Sequence, residues 1–79
     1  MNDKLLELEN SIKVYERIKY FLEQAHADAL AHEKAGGRDA VSAWSFRLEI
    51  ETLIKSVNFD IEAEKGLVRK EKMMMELDL

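Results

Sequence analysis

Apolar residues in the first 35 positions recur at the spacing of a helix. They follow one another at steps of three or four residues, and the mean step is close to the 3.5 of a coiled coil. The stripe consists of Leu5, Leu8, Ile12, Tyr15, Ile18, Leu22, Ala25 and Ala29. The pattern predicts a first long helix over about residues 3–35, with one face packed against another helix.

A break follows in the segment KAGGRDA, residues 34–40. Gly36 or Gly37 can adopt the left-handed conformation that ends a helix, and Asp39 can cap the next one. No alternation with period two is sustained, so strands are not expected. The segment therefore predicts an antiparallel hairpin, with the second helix over about residues 39–65.

The second helix carries apolar residues on two opposite sides. At about 100° per residue, one stripe clusters within a quarter turn and the other set falls opposite it. The main stripe is Phe46, Ile50, Leu53, Val57 and Ile61, with Ile54 beside it, and the opposite set is Val41, Trp44, Leu48 and Phe59. One side can pack on the first helix, and the other has nothing left to meet in this chain apart from the C-terminal tail. We therefore expect a homodimer, as a coiled-coil-like helical bundle.

Gly66 leaves two alternatives for the C-terminal segment. It can end or kink the second helix, followed by a short third helix or a frayed tail over residues 67–79, or one helix can continue through it. We favour a break or kink at this glycine. Met73, Met74 and Met75 lie in this segment and suit an irregular protein partner, although they could also be a frayed tail or pad the dimer.

Composition favours a single all-α domain over residues 1–79. The chain has no cysteine and no proline and a net charge of −4, so it is a small acidic protein without disulfides or thiolate metal sites. A chain this short has a marginal core, which also favours self-association. No segment resembles a membrane span or a signal peptide, so we expect a soluble, cytoplasmic protein.

Candidate chemistry is sparse. The histidines His26 and His32 lie on different helical faces. Asp28 and His32 share a face and could provide two metal ligands, and a symmetric dimer could bring two such pairs together. Solvated ion pairs explain these residues more simply. No motif for a nucleophile, cofactor or phosphate is present. We therefore expect neither an enzyme nor a cofactor or metal site.

The sequence best fits a non-enzymatic, self-associating module that binds a protein. An adaptor, an assembly or secretion chaperone, and an inhibitor all fit. Its expected oligomer or partner interface comprises Val41, Trp44, Leu48, Phe59, Met73, Met74 and Met75. One alternative is a nucleic-acid regulator that uses the basic run Lys65, Arg69, Lys70 and Lys72, which the acidic net charge disfavours. Another is an oligomer that sequesters a small anionic ligand near Arg38 and Arg47.

Overall fold

The chain folds into two antiparallel helices. A computed structural model describes residues 3–77, with α1 over Asp3–Ala35 and α2 over Ala40–Leu77. No strand occurs in that range, so the predicted all-α helical hairpin is confirmed. Residues 1–2 and 78–79 lie outside the described residues, and the last two belong to the segment over which a third helix was considered.

The bend is formed at the two glycines. Gly36 and Gly37 have φ values of 72° and 92°, in the left-handed region that side chains disfavour. The Gly36 N–H donates to the Glu33 carbonyl at 3.2 Å, which closes the last turn of α1. The Ala43 N–H donates to the Asp39 carbonyl at 2.9 Å and begins α2. Adjacent glycines therefore let the chain reverse within four residues.

The contact between the helices, called the seam here, keeps a strict heptad spacing. On each helix a row of half-buried or buried residues alternates at steps of three and four, the period that holds two helices face to face along their length. Other half-buried residues lie beside this row. The α1 seam is Leu5, Leu8, Ile12, Tyr15, Lys19, Leu22, His26, Ala29 and Glu33. The α2 seam is Ala43, Arg47, Ile50, Ile54, Val57, Ile61, Glu64, Val68 and Glu71.

Four residues predicted to lie on the packing stripes are exposed instead. On α1, the neighbouring residues Lys19 and His26 occupy the seam in place of Ile18 and Ala25. On α2, Phe46 and Leu53 lie outside the seam. The prediction selected apolar residues, whereas the packed positions follow the heptad. Ion pairs between the helices make charged residues acceptable at some of those positions, so the stripe was partly wrong.

The break favoured at Gly66 is also wrong, because α2 continues through it to Leu77 and no separate third helix follows within the described residues. A glycine inside a helix costs about 1 kcal/mol relative to alanine, which packing can offset. Val68 and Glu71 lie on the seam beyond the glycine, and Glu71 forms an ion pair with Lys4 of α1 at 3.7 Å. Contact with α1 therefore holds this part of α2 in the helix.

The hairpin is long and thin. Its extents are 63 × 16 × 12 Å and its radius of gyration is 18.0 Å, whereas a compact domain of this length would have about 12 Å. Among residues 3–77 the buried apolar side chains are Ala43, 8% exposed, and Ile61, 5% exposed. The two helices thus bury a narrow line of side chains and leave most of their surface outside.

Candidate interaction surface

A chain of ion pairs crosses the seam near the bend. The Arg47 guanidinium donates from Nε to Glu33 Oε2 at 2.6 Å and from Nη2 to Oε1 at 3.3 Å, binding this carboxylate with two bonds. Its Nη1 donates to Glu51 Oε1 at 2.8 Å, and His26 Nε2 lies 3.0 Å from the same oxygen. An ionised carboxylate can only accept, so His26 Nε2 carries the hydrogen in this contact. The network joins two residues of each helix.

These contacts shift the ionisation of two members of the network. The hydrogen bond from His26 lowers the pKa of Glu51, and the charge of Arg47 adds to this effect. The hydrogen bond to Glu33 raises the pKa of Arg47. Both shifts favour the charged forms that make the contacts. The network therefore fixes the alignment of the two helices near the bend.

The four apolar residues expected on the side of α2 away from α1 are exposed. We call Val41, Trp44, Leu48 and Phe59 the aromatic flank. Trp44, near the start of α2, is 48% exposed, and Phe59, at the middle of the helix, is 76% exposed. By helical position, Lys55 and Glu62 lie on the same side of α2, so charged residues interrupt this surface.

A second exposed apolar surface lies on the other side of the hairpin. In an antiparallel pair of right-handed helices, one face is formed by the residues that directly precede the seam positions on both helices. We call this surface the broad face; it consists of Val14, Ile18, Phe21, Phe46, Leu53 and Leu67, all of them exposed. The structure agrees with this grouping, since Phe46 lines a shallow groove of about 430 Å³ together with His32 and Ala29 of α1.

Sequence reasoning missed the broad face. Ile18, Phe46 and Leu53 were assigned to the stripes between the helices. A strict alternation of three and four residues would have excluded Ile18 from the α1 seam. Phe46, Ile50, Leu53 and Val57 also alternate at steps of four and three, so spacing alone did not exclude Phe46 and Leu53. Following that alternation would have placed charged residues inside the hairpin, which composition alone argues against.

The C-terminal candidates remain on the outside of α2. Met73, Met74 and Met75 are all exposed and, at about 100° per residue, point in three directions. In the basic run, Lys65 lines a groove of about 330 Å³ that also contains Glu16, Glu23 and Glu62. The carboxylates offset the positive charge there, which leaves a weak site for a nucleic-acid backbone.

The fold adds few further ligands around the candidate metal and anion residues. Asp28 and His32 line the groove beside Phe46 together with Asp39, but no group of three possible metal ligands occurs among the residues that the structure describes. Arg47, considered for a small anion, already binds two carboxylates. An anionic ligand would have to displace one of them. No helix within residues 3–77 has the length and apolarity needed to cross a bilayer.

No protein-family model, curated protein sequence or solved structure matches the chain. Its function is therefore inferred from the geometry of its surfaces.

Proposed function

We propose that this protein is a non-enzymatic helical module that self-associates and binds a protein partner. The observation that carries the proposal is the amount of apolar side-chain surface left outside the hairpin. Large exposed apolar patches on a small protein mark interaction sites, and buried cores normally hold such side chains.

The surface area of the chain supports self-association. The isolated chain exposes 6263 Å², whereas a compact monomer of 9.2 kDa would expose about 4,900 Å² by the usual scaling with mass. The difference, about 1,300 Å², is of the size that protein interfaces cover. A dimeric helical bundle would cover it without any change in the two helices.

A second apolar surface supports binding of another protein. A two-fold dimer that covers one side of the hairpin leaves the other side free. Trp44 and Phe59 are large, and aromatic residues dominate binding energy at many protein interfaces. The exposed methionines Met73–Met75 extend the same helix toward its end and can adapt to an irregular partner. The partner would be a larger protein with a complementary apolar groove.

Sedimentation equilibrium at micromolar concentration tests the first half of the proposal. We expect a mass near twice 9.2 kDa, because the outer apolar surface is covered only on association. A chain that stays monomeric across that range contradicts self-association.

Affinity capture tests the second half. The wild-type chain and the variant Phe59→Ser serve as parallel baits in extract of the source organism, with Ser56→Ala, an exposed change on the same helix, as the matched control. We expect a protein bound by the wild type and the control to be lost with Phe59→Ser. Identical capture by all three baits argues against a partner at the aromatic flank.

A further inference from the structure

We infer that the broad face is the self-association surface, and that two copies pack with their bends at the same end of a four-helix bundle. This inference rests on the proposed function, which states only that the chain self-associates. The occupant of the broad face is a second copy of the chain, and the aromatic flank remains outside the bundle.

The excess surface area of each copy is of the size that burial of one face in a homodimer would remove. If each copy covers its excess of about 1,300 Å², the dimer buries about 2,600 Å² in total, within the range of obligate homodimers. The hairpin is 12 Å thick in its smallest dimension, so a second hairpin stacked on it forms two layers of helices, as in four-helix bundles. The long dimension of 63 Å gives the interface its area.

Charge distribution distinguishes the broad face from the aromatic flank. Interface centres are depleted of charged residues, which must otherwise lose their hydration. On the broad-face side of α1, Val14, Ile18, Phe21 and Ala25 follow one another at heptad spacing, with Arg17 at the edge. The broad face has charged or titratable residues in its groove at the bend, namely Asp28, His32 and Asp39. On the flank side, Glu16, Glu23, Glu62 and Lys65 line a groove at the middle of the hairpin, where an interface would have its centre.

The spacing of the broad face also suits a helical occupant. Phe46, Leu53 and Leu67 of α2 lie at multiples of seven residues, the period of a coiled-coil seam. A helix of the same period can follow this row along its whole length. The second copy presents such helices, since its own broad face has the same spacing.

Two charged residues select the arrangement of the copies. Asp60 occupies the remaining heptad position of that row, near the middle of α2, and the register set by the His26–Glu51 contact places Arg17 of α1 level with it. With bends at the same end, α1 of one copy lies on α2 of the other, and Arg17 comes level with Asp60 twice. With bends at opposite ends, α2 lies on α2 and the two Asp60 carboxylates face each other. Opposite charges favour the first arrangement.

Sedimentation equilibrium of Leu53→Lys against Phe59→Lys tests the choice of face. Both residues are exposed on the same helix, so the two variants are a matched pair. We expect Leu53→Lys to raise the dimer dissociation constant by about a hundredfold or more and Phe59→Lys to leave it within about threefold. The opposite outcome overturns the inference while self-association, and with it the proposed function, stands. A wild-type chain that is monomeric overturns both.

A charge exchange tests the arrangement even if a lysine at position 53 prevents folding. Arg17→Glu or Asp60→Arg alone should weaken the dimer by about tenfold, and the double variant should restore it. Additive losses in the double variant overturn the same-end arrangement.

A distance measurement gives an independent answer. The chain has no cysteine, so Arg38→Cys at the bend accepts a single spin label per copy. Bends at the same end put the labels within about 30 Å, while bends at opposite ends separate them by about 50 Å, the length of a 33-residue helix. A long distance contradicts the proposed arrangement, and a short one supports it.

Discussion

The seam between α1 and α2 and the broad face outside them carry unlike residues. The seam includes charged or titratable side chains, among them Lys19, His26, Arg47 and Glu64, all half-buried. The broad face includes Phe21, 62% exposed, and other large apolar side chains. In an isolated globular domain this distribution would be reversed, because burial of apolar surface is the main favourable term in folding.

The difference indicates a division of roles. Paired charges need particular partners, so they define which residues of the two helices meet, although they add little net stability at a solvent-accessible site. Apolar surface is not directional and stabilises in proportion to the area covered. The hairpin uses paired charges to align its helices and leaves much of its apolar surface exposed, which the proposed self-association would cover.

The largest expected effect on stability comes from a substitution in the seam, compared with one on the broad face. Ile61→Ala should destabilise the protein by about 2–4 kcal/mol, because it empties the best-buried apolar position of the seam. Phe46→Ala on the broad face should cost an isolated hairpin less than about 0.5 kcal/mol, since the side chain is 59% exposed. In a dimer, its effect should be larger.

Chemical denaturation at two protein concentrations measures both changes. A midpoint for the wild type that rises with concentration, and less so for Phe46→Ala, is the expected result. Equal and concentration-independent losses at both positions would remove the contrast between seam and broad face.

A smaller effect concerns the charged part of the seam. Oε2 of Glu64 is buried and has no hydrogen-bond partner within the described residues. Glu64→Leu should therefore stabilise the protein by about 1–2 kcal/mol, measured by thermal unfolding, because an unpaired buried polar atom is replaced by apolar contact. Glu62→Leu, two residues away and exposed, is the control and should change little. A loss of stability in Glu64→Leu would mean that this carboxylate has a partner in the assembled protein.

The continuity of α2 gives a further test. Gly66→Ala should stabilise the protein by up to about 1 kcal/mol, because alanine favours the helix and its Cβ would lie 3.8 Å from the Arg69 guanidinium, an ordinary contact. Gly37→Ala is the matched control and should destabilise, since φ there is +92°. If Gly66→Ala destabilises instead, a bend at this glycine is needed for the native structure.

The smallest expected effect is a pH dependence in the ion-pair network. The pKa of Glu51 is lowered from 4.5, chiefly by the hydrogen bond from His26. A carboxyl with a lowered pKa in the folded state adds stability above its ordinary pKa and loses it as the pH falls through the folded value. Glu51→Gln should therefore lower stability at pH 7 and weaken the loss of stability between about pH 5 and pH 3.

Unfolding midpoints measured across that range, with the exposed Glu49→Gln as control, test this expectation. Parallel curves for the wild type and Glu51→Gln would show that the charge of Glu51 adds no pH-dependent stability.

Local features were predictable because they depend on neighbouring residues. The glycine pair at 36–37 can end a helix whatever surrounds it, and the long stretches of helix-forming residues on both sides fold accordingly. The outward position of Trp44 and Phe59 followed from the helical period, since they lie opposite Ile50 and Ile61 on the same helix.

The pairing of α1 with α2 was beyond such reasoning. At two places on the helices an apolar residue is followed directly by a charged one, namely at positions 18 and 19 and at positions 46 and 47. Either member of each pair could have lain on the seam. The charged choice is favourable at Arg47 only because Glu33, fourteen residues away, lies opposite it across the seam. Likewise, a glycine at position 66 remains helical because the chain beyond it contacts the start of α1.

By itself, therefore, the sequence determined two helices, the position of the bend and the surplus of apolar residues on α2. The tertiary structure alone decided which residues form the seam and which remain on the broad face. The physical reason is that helix formation and chain reversal are local, whereas the register between two helices depends on partners distant in the chain.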